Sequence, residues 1–427
     1  MAAIGNMSVD ELFFYGAFCL YSIAEIIRTT AFVMTFPILG TICHGLLILS
    51  ALLLLMRLML LRASDFQWLV TLGIFMLTAL VAFRYGMEYP FWIFLFVISG
   101  KGIKIKRLAK ITLVLATVIT VSAILACYAG FVENYTMIAT GDRVLRNSMG
   151  FLHPNRLGER IAEICISYWY LRVSDHRLRV TVLYVVSFLF VYFVANSRTS
   201  CLVFVVLILG TWFFPLLSKV PRFSVILCGI LITLTISASF FFMASYDSFD
   251  NLMTSLNELL SGRLYLMNFS YRFQAPSLFG NDYSNAPVVG FSIASNSEYH
   301  FQVDNAYGHL LLLYGLIPTI LFLILIFLIY VKFYRDGKFP LALLGLSILL
   351  VVGLVENFTL DIQYNYFLLL ISDIIFAGKE ARAPERRAGR SSTIMRLAKA
   401  QSISAQRPSS YFACQTHPQI TLQRRSL

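Results

Sequence analysis

Tyr246-Asp247-Ser248-Phe249-Asp250 opens a polar segment of about sixty residues, 244–305, that stands between two apolar runs, 223–243 and 310–331. A helix needs about twenty apolar residues to cross the hydrocarbon core of a bilayer, so the two runs frame the segment as a connection between membrane spans. It continues as Asn257-Glu258-Leu259-Leu260-Ser261-Gly262-Arg263-Leu264-Tyr265 and closes on Asp304-Asn305-Ala306-Tyr307-Gly308-His309. Connections of this length are usually functional or disordered. Phe and Tyr recur along it, which argues against disorder. It reads as an ordered loop or small cap on the membrane, and as half of an active site.

The rest of the chain has the same character. Of 427 residues, 58% are hydrophobic and 13% charged, with a mean hydropathy of +0.75. A soluble chain carries about 25% charge, so lipid must solvate most of this one. About twelve apolar runs predict an all-α polytopic membrane protein with about 12 transmembrane helices: 11–27, 36–56, 67–83, 87–99, 111–131, 157–170, 180–195, 201–217, 223–243, 310–331, 341–354 and 360–377. The fourth, sixth and eleventh are short. The seven cysteines are scattered without a close C-x-x-C pair, a pattern of small core residues that suggests neither disulfides nor a metal site. Met1 to Asp10 lacks the basic start of a cleavable signal peptide. No P-loop is present, which argues against ATP-driven transport.

Charge sets direction. The formal net charge of +12 could indicate nucleic acid, but its pattern fits lipid topology instead. Basic residues gather at Arg57 and Arg62, at 101–110, at Arg172, Arg177 and Arg179, at Lys219 and Arg222, at 332–338 and along the tail after Lys379. If the helices alternate, all these positions share one side, and the positive-inside rule makes it the cytoplasm. Both termini are then cytoplasmic. Residues 1–377 form the membrane domain, with outer loops 132–156, 196–200, 244–305 and 356–364. The tail, 378–427, reads as a basic, disordered cytoplasmic extension resting on anionic lipid.

The outer loops hold the candidate chemistry. Residues 141–159 place Arg143, Arg146, His153, Asn155 and Arg156 just ahead of a helix; Pro-Asn at that point is also ordinary capping chemistry. Asn196-Ser197-Arg198-Thr199-Ser200 lies between two long apolar runs. An arginine at such a position is a functional candidate, and the hydroxyls and amide around it favour an anion such as phosphate; a snorkelling side chain is the alternative. In the long loop, Arg263, Asn268, Arg272, Asp304, Asn305 and His309 are interleaved with aromatics, a composition suited to stacking sugars and holding their hydroxyls. Part of it also reads as an amphipathic helix laying Leu259, Leu260 and Leu264 on the membrane. Glu356, Asn357, Asp361 and Asn365 form a fourth group that stabilises the loops, while Glu25, Glu163 and Asp373 sit in apolar runs and are expected to pair with basic groups.

Taken in order, Arg146 through Gly150-Phe151, His153-Pro154-Asn155 and Gly158, then Ser197-Arg198-Thr199, Gly262-Arg263, and Asp304-Asn305 ahead of Tyr314-Gly315-Leu316-Ile317 resemble the Wzy-type polysaccharide polymerases and O-antigen ligases of bacteria. The resemblance spans residues 67–377. It implies a protein of the bacterial inner membrane and inverting, metal-independent glycosyl transfer without a cofactor. Donor and acceptor would be polyprenyl-diphosphate-linked oligosaccharides, with a flippase and a chain-length regulator as partners and no role for nucleic acid. Arg198 is then the first candidate to neutralise the leaving diphosphate, with Arg263, Arg146 and Arg156 behind it. Asp304 is the candidate general base, with His153 and His309 as rivals, and Asn155 and Asn305 orient sugar or phosphate oxygens. Ligases resemble His-Asn or His-Ser where this chain has Asp304-Asn305, which favours a polymerase. Three alternatives remain: a ligase, a lipid-linked glycan flippase, whose ionisable residues usually sit at the midplane, and a purely structural membrane subunit.

Overall fold

Helices dominate because the apolar runs leave the backbone no other way to satisfy its polar groups in lipid. The computed structural model describes residues 7–85, 88–137, 145–260, 262–282, 290–292, 297–299 and 303–377. Arg143, the tail 378–427 and parts of the long connection lie outside the described residues. In chain order the helices are α1 (Val9–Arg28), the single turn α2 (Phe32–Thr35), α3 (Ile38–Leu60), α4 (Asp65–Tyr85), α5 (Glu88–Ser99) and α6 (Ile105–Tyr128). A short strand pair, β1 (Thr136–Met137) with β2 (Arg146–Asn147), precedes α7 (Pro154–Arg172), α8 (Arg177–Phe190), α9 (Arg198–Leu217) and α10 (Pro221–Ser245). The long connection contains α11 (Asn251–Leu259), α12 (Arg263–Phe273) and the hairpin of β3 (Gly290–Ser292) with β4 (Ser297–Tyr299). Then follow α13 (Ala306–His309), α14 (Leu316–Asp336), α15 (Leu341–Val352) and, after 3₁₀ turns at Asn357–Leu360 and Tyr366–Ile371, α16 (Ser372–Ile375).

Among the described residues, seven helices are long and apolar enough to cross a membrane. They are α3, α4, α6, α8 with its terminal turn, α9, α10 and α14. This is the build of a multi-pass membrane protein, and their outward residues fit it: Ile48, Phe83 and Phe327 are apolar yet 63%, 89% and 65% exposed. The other runs differ from the expected regular spans for identifiable reasons. Helices α1 and α7 have the length but carry several charges. Helices α5 and α15 have 12 residues each, about 18 Å against a hydrocarbon core of about 30 Å. The last run, 360–377, is not one helix but two short turns of different pitch.

Polarity is inverted inside. Arg160 and Glu163 of α7 are buried and paired at 2.7 Å, and Gln363 donates to the same Glu163 at 2.9 Å. Glu25 pairs with Arg28 at 2.9 Å, and Asp373 lies 3.9 Å from Lys332. All three acidic residues expected to find basic partners do so.

Helix α1 marks the two ends of the bundle. At its N-terminus Arg57, fully buried, lies 3.7 Å from Asp10 and donates to the Lys101 carbonyl, and Arg107 pairs with Glu11 at 3.0 Å. At its C-terminus the backbone joins the segment before α7: Ala31 N donates to Gly150 O at 2.8 Å and Leu152 N to Thr29 O at 3.0 Å. The basic positions of the first loops and the motif-bearing segment 146–159 therefore stand at opposite ends of one helix.

Candidate functional site

Helix α7 begins at Pro154, whose fixed φ suits the first helical position. The cap is His153, not Pro-Asn as the sequence suggests: its Nδ1 accepts from the Asn155 backbone N–H at 3.0 Å. That bond fixes the proton on Nε2. Burial, then the nearby Arg146, Arg156 and Arg263 guanidiniums, push the ring down to about 3, so His153 is neutral and presents a donor. Its Nδ1 lone pair is occupied in this arrangement.

The first turn of α7 crosses the start of α9 at Gly158. A Cβ there would lie 2.6 Å from Ser200 Oγ and 3.1 Å from Ser197 Cβ, so only glycine permits the approach. Before α9, the end of α8 widens into a π-helical turn, Val191–Ala195, and Asn196 takes a left-handed conformation (φ 45°, ψ 44°). Such turns recur at functional sites. Arg146 Nε donates to the Ala195 carbonyl at 3.1 Å, and its Nη2 donates to the Asn155 side chain. Arg146 thus staples the loop before α7 to the loop before α9. Ser197 Oγ bonds Ser200 Oγ at 2.9 Å and makes no side-chain cap. Thr199 is buried, whereas Arg198 is exposed and has no ion pair or hydrogen bond among the described residues.

Arg263 enters from the long connection. Gly262 holds φ at +86°, the left-handed region glycine favours, and so starts α12 at Arg263. The helix is fixed by Leu264 and Met267, which pack with Met243, Tyr246, Val303 and Leu312, and by Asn268, which donates to the Met243 carbonyl at 2.8 Å. Leu264 is therefore core, not a membrane-surface residue, and Leu259 is 62% exposed. The Arg263 guanidinium, 8% exposed, has Nε 3.1 Å from Asp304 Oδ2, and Nη1 lies 2.9 Å from Glu356 Oε1 and donates to the Val355 carbonyl. Burial would lower its pKa, but Glu356 and Asp304 more than offset that. Burial pushes Glu356 up to about 7 even beside Arg263, with Glu159 and Asp304 adding to the rise and the Thr199 hydroxyl opposing it. Through Thr199 this knot reaches the N-terminus of α9.

Segments 146–159, 196–200, 263, 304 and 356 thus meet at one end of the bundle. Comparison with protein-family models, curated proteins and solved structures finds no match to this chain.

Other expected site residues are placed differently. Asn305 is buried and caps α13 by accepting from Gly308 N at 2.8 Å, while its amide donates to Ser239 at 2.9 Å and to the Leu354 carbonyl at 2.6 Å. It organises the loop, with its amide nitrogen and its oxygen both engaged by the protein. His309 Nδ1 lies 3.1 Å from the Val303 carbonyl, which can only accept, so Nε2 accepts from Tyr314 Oη at 3.1 Å; burial pushes the ring down to about 4. Its basic lone pair is occupied. Arg272 is exposed, roughly 13 Å along α12 from Arg263 at 1.5 Å per residue, with a 3.4 Å contact to the Tyr246 carbonyl. Arg156 pairs with Glu159 at 2.8 Å. From the sequence Glu356 has a stabilising role, Thr199 is one of the hydroxyls around Arg198, and Glu159 has no role. The signal for their joint role was weak, because each is an ordinary residue inside a helix or loop until the fold brings Glu159 and Glu356 to Arg263 and Thr199 to Glu356.

Proposed function

We propose that this chain is a membrane glycan polymerase, transferring a growing polysaccharide from polyprenyl diphosphate to a sugar hydroxyl of another lipid-linked repeat unit. One observation carries the reading: at the N-terminus of α9, packed on the start of α7 at Gly158, stands an exposed Arg198 with no ion pair or hydrogen bond among the described residues. A guanidinium without a carboxylate partner is a ready site for a diphosphate. The positive end of the 20-residue α9 adds to its field.

In the reaction the acceptor hydroxyl oxygen attacks the anomeric carbon of the donor from the face opposite the diphosphate. The carbon–oxygen bond to phosphate breaks, the diphosphate leaves with the electron pair, and the hydroxyl proton passes to a base. Asp304 is that base among the three expected. His153 holds its proton on Nε2 and His309 has its lone pair on Tyr314, whereas Asp304 is a half-buried carboxylate held by Arg263. Arg198 stabilises the departing diphosphate, an effect worth most where charge develops against fixed cations. Arg263, already balanced by two carboxylates, positions Asp304 and is not a free clamp. In this reading the chain spans the inner membrane of a bacterium, with both termini cytoplasmic and the site outside.

The test is purified chain in lipid nanodiscs with a polyprenyl-diphosphate-linked repeat unit, products resolved by size. Arg198→Ala should fold normally, since the side chain is exposed, and lose about 10²–10³-fold in rate, the usual effect of removing one such group. A folded Arg198→Ala protein with full activity refutes the assignment. Transfer to a non-lipid-linked acceptor without chain growth would make the chain a ligase.

A further inference from the structure

Beside the arginine cluster lies a cavity of about 210 Å³ that the transfer chemistry above does not use. Its charged walls are Glu25 from α1, Arg156 and Arg160 from α7, and Asp361 from the turn after Asn357–Leu360. His309, Asn357 and Tyr364 add to its polar lining, and Leu313, Phe358 and Leu360 supply apolar surface. At roughly 30 Å³ per water it has room for about seven. It is smaller than the roughly 300–1,000 Å³ of a site for a whole small molecule, so it suits one sugar ring and not an oligosaccharide.

Charge decides the class of occupant. Both cations at the walls are already balanced, Arg156 by Glu159 at 2.8 Å and Arg160 by Glu163 at 2.7 Å, while the wall carboxylate Glu25 is paired with Arg28 at 2.9 Å. Asp361 adds a carboxyl that accepts from Tyr21 Oη at 3.0 Å and from Gln363 N at 2.9 Å. No positive excess is left at its walls for a phosphate. What remains is hydrogen-bonding capacity. The Tyr364 hydroxyl is buried, the residue being 2% exposed, and has no hydrogen-bond partner among the described residues. A buried hydroxyl left unpaired costs stability, and a ligand hydroxyl would satisfy it. The Tyr364 ring cannot turn away, since the Arg160 guanidinium lies over it at 4.7 Å and Phe358 packs at 4.8 Å.

Position completes the case. Val303 lines the cavity and the next residue is Asp304. Arg156 belongs to both the cavity wall and the cluster around His153, which makes it the seam between a phosphate side and a sugar side. We propose that the cavity holds a single neutral pyranose, the terminal sugar of the acceptor glycan, with its attacking hydroxyl toward Asp304. This rests on the transferase reading given above.

The test measures sugar binding alone, with no donor lipid and no turnover. Full-length chain in nanodiscs is titrated with methyl glycosides of glucose, galactose, mannose, rhamnose, N-acetylglucosamine and N-acetylgalactosamine, followed by saturation-transfer NMR. At least one glycoside should bind, Tyr364→Phe should weaken it about fivefold, the worth of one hydrogen bond, and Leu313→Trp, which fills the cavity, should abolish it. Inorganic pyrophosphate should not displace it. The inference is overturned if no glycoside binds the wild type, if binding survives Leu313→Trp, or if pyrophosphate displaces the sugar. An active polymerase whose acceptor KM ignores Tyr364→Phe would also overturn it while leaving the polymerase reading intact. Sugar binding in a protein that never extends a glycan would do the reverse.

Discussion

Replacing Arg263 with methionine should reveal how the loops are held. Its guanidinium is 8% exposed and Glu356 is 3% exposed, so the change leaves a buried carboxylate facing Glu159 and Asp304 without its cation. Breaking one side of a buried pair costs about 3–5 kcal/mol. The loss has a ceiling, because Glu356 can take up a proton: it already stands at about 7 with Arg263 present. Arg263→Met should therefore cost about 3 kcal/mol near pH 8 and less near pH 5.5. The double variant Arg263→Met/Glu356→Leu replaces the pair with apolar groups and should recover most of that stability, but not activity, since Asp304 loses its anchor. Unfolding in mixed SDS–detergent micelles at the two pH values supplies the comparison. A single variant as stable as wild type at both, or a double variant weaker than the single, refutes the idea that a buried ion pair ties α12 to the loop after α15.

Gly158→Ala should destabilise by about 1–3 kcal/mol, the range for overpacking, because the added Cβ meets Ser200 Oγ at 2.6 Å; the same unfolding assay reads it, and transfer should fall with it as Arg198 shifts. Glu356→Gln should alter the pH profile of stability. The folded value of about 7 lies above the ordinary 4.5, so the wild-type contribution is complete below pH 4.5 and lost as pH rises through 7; the wild type should lose ground to the variant across that window, and parallel profiles would contradict it. Gly315→Ala should loosen the long connection. Gly315 has φ +96°, and a Cβ there would lie 2.3 Å from Gly280 N, where Leu316 N and Ile317 N bond the Ser277 and Leu278 carbonyls at 2.9 and 3.1 Å. Faster proteolysis within 274–282 is the expected readout.

Much of the site was legible because its residues violate the local pattern. Arg198 between apolar helices and Gly262 before Arg263 stand out in a chain with 13% charge, and the structure places Arg146, Arg198, Arg263 and Asp304 at one end of the bundle. Asn305 and the two histidines were misjudged for a common reason. Polar side chains beside a helix start look alike in sequence whether they cap backbone or face a ligand, and only the hydrogen bonds of His153, Asn305 and His309 separate the two.

By itself the sequence determined that this is an all-helical chain solvated by lipid, since apolar runs of such length admit no other backbone arrangement in a bilayer. It also marked which connections hold the polar chemistry. Tertiary structure alone decided that Arg263 is balanced by Asp304 and Glu356, that Arg198 has no partner among the described residues, and that Glu25, Arg160, Asp361 and Tyr364 line one cavity. Those relations join residues up to 336 positions apart, as from Glu25 to Asp361. Hydrophobic periodicity fixes what a helix is, whereas the partner of a buried charge depends on which helices pack together.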